Sequence, residues 1–154
     1  MSEGIASATG LVRASAASVY RIIADYRQHH PRIVPPEYFT SIGVEEGGVG
    51  AGTRIRVRMR VMGRTSEFIH LVREPEPGRV LEEADTEGAS TTTFTVEPAE
   101  NGAAATVMIQ TRFRVRSGPL GVLERIVTRA VLHRIYRKEL ARLDEYVRSG
   151  ARAV

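Results

Sequence analysis

The chain has 154 residues, 42% of them hydrophobic and 26% charged, the size and balance of one globular domain, 1–154, with one sizeable core. Its 22 basic and 18 acidic residues leave a net charge of +4, too small for a dedicated nucleic-acid binder, so no nucleic acid is expected as partner. The absence of cysteine excludes disulfides, thiolate metal sites and cysteine nucleophiles.

The opening MSEGIASATG lacks a basic segment followed by an apolar run, and no later stretch reaches membrane-spanning length. The expected setting is therefore soluble and cytoplasmic. Ile5 to Arg13 is expected to form a first strand. It leads to Ser15, a helix N-cap for AASVYRIIADY, in which Val19, Ile22, Ile23 and Tyr26 recur at helical spacing. The next segment, HHPRIVPP, permits only a short helical turn or an irregular connection, because proline blocks helix interiors and restricts the residue before it.

From Tyr38 onward the pattern becomes short alternating runs separated by EEGGVGAG, Gly63, EPEPGR, DTEG and EPAENG. These turns mark about six strands, near 38–45, 53–62, 65–74, 79–86, 90–97 and 104–116, joined by hairpin-length loops into an antiparallel sheet. The run GTRIRVRMRVMG is the clearest of them. Its alternation puts Arg54, Arg56, Arg58 and Arg60 on one face and Ile55, Val57, Met59 and Val61 on the other.

After SGP the chain is expected to be helical to about Arg148, with Pro119 in the first turn and Gly150 at the stop. The early apolar set (Leu120, Leu123, Ile126, Val127, Ala130) and the late set (Leu132, Ile135, Tyr136, Leu140, Leu143, Val147) lie roughly 150° apart on a helical wheel. Either the helix bends near Val131 to His133, or its first half meets something other than the core.

The order strand, short helix, proline-rich connection, six strands and long helix resembles the helix-grip fold. VRASAASVYRIIADYRQHHPRIVP, EEGGVGAGT, EPEPGRVLEE and TFTVEPAENGAAATVMI resemble the polyketide cyclase/dehydrase and lipid-transport family of the START-like superfamily, which also holds the birch-pollen-allergen proteins. The resemblance implies an α+β fold: a curved antiparallel sheet of about seven strands (β-α-α-β6-α) around the long C-terminal helix. It also implies a cavity between sheet and helix for a hydrophobic small molecule such as a lipid, quinone or polyketide. Aromatics at 6%, with no tryptophan, agree with an incompletely filled interior.

The residues expected at such a cavity are Tyr26, His30, Tyr38, Val57, Met59, Val61, His70, Glu83, Thr92, Phe94, Thr111, Phe113, Ile126, Ala130 and His133. His29 and His30 are adjacent, and no spacing matches a metal-binding helix motif, so neither a metal nor another cofactor is expected. No histidine accompanies a nucleophile and an orienting acid, and catalytic residues stay unassigned. Alternation turns at least one of Glu82, Glu83 and Asp85 inward; a desolvated Glu83 would hold its proton more tightly and serve as acid or base. EEGGVGAGT lacks both the strand-then-helix context and the Lys-Ser/Thr of a phosphate loop, and reads as a turn.

Two other functions compete with carriage of a ligand. One is an aromatase/cyclase or dehydratase-like enzyme that uses the same cavity, where binding and orientation can do much of the work. The other is docking on a membrane or protein through the basic face of Arg54, Arg56, Arg58 and Arg60, a pattern repeated at Arg112, Arg114 and Arg116. The ordinary use of such a face is a solvated sheet surface on which arginine stems cover apolar area. Oligomeric state is left open.

Overall fold

The computed structural model describes residues 1–150. Strand β1 (Ser2–Val12) leads into helix α1 (Ala16–Ala24), a one-turn helix α2 (His30–Ile33), then β2 (Phe39–Glu46), β3 (Arg54–Val61), β4 (Arg64–Glu76), β5 (Val80–Asp85), β6 (Ser90–Ala99), β7 (Ala104–Val115) and helix α3 (Pro119–Arg148). All seven strands form one antiparallel sheet in the order β1-β7-β6-β5-β4-β3-β2. The chain thus has the α+β helix-grip architecture. Among the described residues no helix is long and apolar enough to cross a membrane.

Local chemistry explains where the elements begin and end. The Ser15 hydroxyl accepts the Ser18 amide proton and caps α1. Asp25 ends that helix: its carboxylate accepts the amides of Arg27 and Gln28, which tightens the chain into the next turn, so Tyr26 stands just beyond the helix rather than within it. The glycine-rich loop docks there, with the Gly50 amide donating to the Ala24 carbonyl. Gly50 has φ of +67°, and a Cβ on it would lie 2.7 Å from the Glu74 carboxylate. The loop is a structural clamp on the end of α1.

The alternation in β3 holds. Ile55 and Val57 are buried in the core with Val72, Leu81, Phe94 and Ile109, while Arg56, Arg58 and Arg60 are exposed. Helix α3 lies against β1, β7 and α2, so its contacts are concentrated at one side of the curved sheet. It runs unbroken through Val131 to His133. Its late apolar set supplies the buried Ile135, Tyr136, Leu140, Leu143 and Val147, whereas the early set faces outward, with Leu120, Leu123, Ile126 and Val127 exposed. The second of the two sequence alternatives applies: the early apolar set stands outside the core that the late set joins.

Candidate functional site

Between α3 and the concave face of the sheet is a cavity of about 280 Å³. Beside it, between α3 and the β3–β4 hairpin, lies a more open recess of about 510 Å³. Met59, Phe68, Thr128 and Leu132 border both. The cavity walls are mainly apolar, from Val57, Phe39, Phe94, Phe113 and the bordering residues, with polar groups gathered on β4 to β7 and the second half of α3.

Each polar group is positioned by its element. In β5 the alternation buries Leu81, Glu83 and Asp85 and turns Glu82 out to an ion pair with Arg73 at 2.8 Å. Burial pushes the Glu83 carboxyl up to about 7, with the Tyr26 hydroxyl opposing weakly. His70, paired across the sheet with Asp85, also turns inward; burial lowers its pKa, Asp85 resists the shift, and its Nδ1 has no hydrogen-bond partner. Asp85 is itself occupied, accepting the Ala89 amide at 2.9 Å.

Helix α3 adds Tyr136 and Glu139. The Tyr136 hydroxyl joins the Thr111 hydroxyl, which joins that of Thr92 at 2.7 Å, tying α3 to β7 and β6. Glu139 is 3% exposed, and burial, reinforced by the nearby Glu83, raises its pKa well above the ordinary value. Its Oε1 lies 3.8 Å from Nε2 of His30 and makes no hydrogen bond. His30 donates from Nδ1 to the Ile23 carbonyl at 2.7 Å, which leaves Nε2 as an acceptor facing Glu139. Burial lowers the His30 pKa to about 4, so this is a contact between neutral groups and not an ion pair.

The sequence expectations divide accordingly. His30, Val57, Met59, His70, Glu83, Thr92, Phe94, Thr111 and Phe113 line the cavity. Val61 lines the recess instead. Tyr26 is buried behind His30, its ring stacked on the imidazole at 4.4 Å between centroids, and its hydroxyl makes no well-formed hydrogen bond. Tyr38 lies outside, under the Lys138 ammonium. Ile126 and Ala130 also lie outside, on the outward face of α3, and His133 lies outside on its flank toward β1, because the face carrying Tyr136 and Glu139 extends back through Leu132 and Thr128. His133 bonds the Ser7 carbonyl of β1 at 2.8 Å.

Glu139 escaped sequence reasoning although a signal existed: an acid set among Ile135, Tyr136, Leu140 and Leu143 on one helical stripe. The basic sheet face also needs correction. Glu45 binds Arg54 and Arg56 at 3.3 and 2.8 Å, and Glu67 binds Arg56 and Arg58 at 2.5 and 2.9 Å. Two acids from the flanking strands β2 and β4 thus hold three of the four arginines in ion pairs and leave Arg60 outside them. Among the described residues no group of three or more His, Asp or Glu side chains is placed to hold a metal ion.

The model of the family described as polyketide cyclase / dehydrase and lipid transport matches residues 5–148. The chain belongs to that family. Among solved structures, the KanY protein is 27% identical over 96% of this chain and 99% of its own, with a TM-score of 0.82. The di-domain aromatase/cyclase BexL is 28% identical over 96% of this chain and 47% of its own, with a TM-score of 0.68. The ZhuI aromatase/cyclase from a Streptomyces strain shares the fold at 18% identity and a TM-score of 0.79, over 99% of this chain and 98% of its own. No curated protein matches the chain.

Proposed function

We propose that this family member binds an uncharged hydrophobic molecule bearing hydroxyl or carbonyl oxygens, of the lipid, quinone or polyketide kind, in the cavity between sheet and α3. The observation that carries the reading is the polar wall of buried Glu83 and Glu139 and half-buried His70, which among the described residues has no lysine or arginine paired with it; Arg114, which also lines the cavity, is exposed on its strand. A ligand carboxylate would meet two carboxyl groups at that wall and could find a counter-charge only by reaching exposed Arg114. A neutral ligand oxygen would receive hydrogen bonds from protonated carboxyls while apolar walls cover its rings or chain. Recess and cavity together offer space in the range of roughly 300–1,000 Å³ usual for small-molecule pockets.

Isothermal titration with a neutral hydroxyanthraquinone and with a long-chain fatty acid tests the proposal. The quinone is expected to bind with a negative heat-capacity change and the fatty acid far more weakly. Absence of binding by either, or preference for the carboxylate, overturns it.

A cyclase or dehydratase reading is favoured by one further observation, a cavity carboxyl at Glu83 whose pKa of about 7 suits both taking and returning a proton. The 28% identity with a protein named as an aromatase/cyclase supports it. Ionised Glu83 would take a proton from a carbon between two carbonyls, and that carbon would attack a third carbonyl. The carboxylic acid would then return the proton to the new alkoxide, and water would leave in a later step. Glu83→Gln is expected to retain ligand affinity within a few-fold and lose turnover by roughly a hundredfold or more; unchanged turnover removes the catalytic reading and leaves the binding one.

A further inference from the structure

The first half of α3 presents an apolar stripe to solvent. Leu120, Leu123, Ile126 and Val127 are 65%, 58%, 60% and 40% exposed, and their spacing sets them on the side of the helix opposite Tyr136 and Glu139. Met62, 78% exposed at the tip of the β3–β4 hairpin, borders the recess together with Val127. Scattered exposed apolar residues are ordinary; a continuous stripe beside an opening marks a surface that something covers.

Charge narrows what covers it. From Arg116 to Arg137 the chain carries five arginines and one acid, Glu124, which Arg116 holds. Arg134 and Arg137 continue the outward stripe beyond Ala130, and Arg60 and Arg64 flank the hairpin tip. Among the described residues these four arginines enter no ion pair. A second copy docked about a two-fold axis would bring this basic surface against itself. An anionic bilayer supplies acyl chains to the stripe and headgroups to the arginines together.

We propose that this face docks on anionic lipid bilayers, with Leu120, Leu123, Ile126 and Met62 entering the interfacial zone and the flanking arginines meeting the headgroups. Val127 and Met62 belong both to this face and to the wall of the recess, so a docked molecule holds one rim of the recess beside lipid. The surface shares only Arg60 with the arginine ladder, whose Arg54, Arg56 and Arg58 are already paired with Glu45 and Glu67.

Co-sedimentation of ligand-free protein with vesicles tests docking separately from ligand binding. The vesicles are phosphatidylcholine alone, or phosphatidylcholine with about one-third phosphatidylserine. Wild-type protein is expected to pellet with the anionic vesicles and progressively less as salt rises. Arg134→Ser with Arg137→Ser should weaken binding by roughly fivefold per arginine, and Leu123→Ser with Ile126→Ser by about tenfold or more. Arg56→Ser with Arg58→Ser should leave binding unchanged. Met62→Ser, on an exposed hairpin tip, gives an apolar variant whose fold does not depend on α3, and it should weaken binding too. The proposal is overturned by wild-type protein that ignores anionic vesicles, by binding that survives both double variants, or by a concentration-dependent dimer that the apolar variants dissolve.

Discussion

Burial keeps the Glu83 proton in place to about pH 7, against an ordinary value of 4.5, and this links the cavity to stability. Below pH 4.5 both folded and unfolded chains hold the proton. As pH rises the unfolded chain releases it first, so native stability falls until about pH 7 and then levels. The stability difference between Glu83→Gln and wild type is therefore expected to grow by about 3 kcal/mol across that window, read from urea unfolding at stepped pH. A flat difference would mean Glu83 is solvated. His30 acts with the opposite sign: neutral and buried, it costs stability as pH falls from 6.5 to about 4. Glu139, raised by the same burial, adds to the Glu83 slope. That one of the β5 acids points inward was legible from alternation alone. Which ones, and that Glu139 faces them across the cavity, depended on how α3 lies over the sheet.

At the scale of elements, the junction of β7 and α3 is the tightest local fit. A Cβ on Gly121 would lie 1.5 Å from the Arg116 carbonyl oxygen, so the first turn of α3 and the end of β7 approach as only glycine permits. Gly121→Ala must separate them and is expected to lower stability by about 1–3 kcal/mol in thermal or urea unfolding. Gly43→Ala, with open space at its Cβ, should be nearly neutral in the same measurement. The periodicity of α3 correctly divided it into two differently facing halves. Its assignment of Ile126 and Ala130 to the interior failed because periodicity finds an apolar stripe without stating what the stripe touches.

For the molecule as a whole, the helix lies toward β1 and β7, and the space left beside β3 and β4 becomes cavity and recess. Leu132 stands at the boundary of the two. Leu132→Trp is expected to reduce affinity for a neutral quinone at least tenfold while the melting temperature holds or rises, since new side-chain volume enters empty space. A loss of about 1–3 kcal/mol, the usual cost of overpacking, would show that the space is already filled.

The sequence alone determined the order and type of the elements, the antiparallel sheet and the two-faced character of β3. These follow from local rules, in which alternation, helical spacing, proline and capping chemistry act within a few residues. Tertiary structure decided the rest. Glu45 and Glu67 reached the arginine ladder only once β2 and β4 flanked β3. The carboxyls of Glu83 and Glu139, far apart in sequence, came to influence one another only once α3 closed over the sheet. Such pairings depend on the distance between elements, which no local pattern encodes.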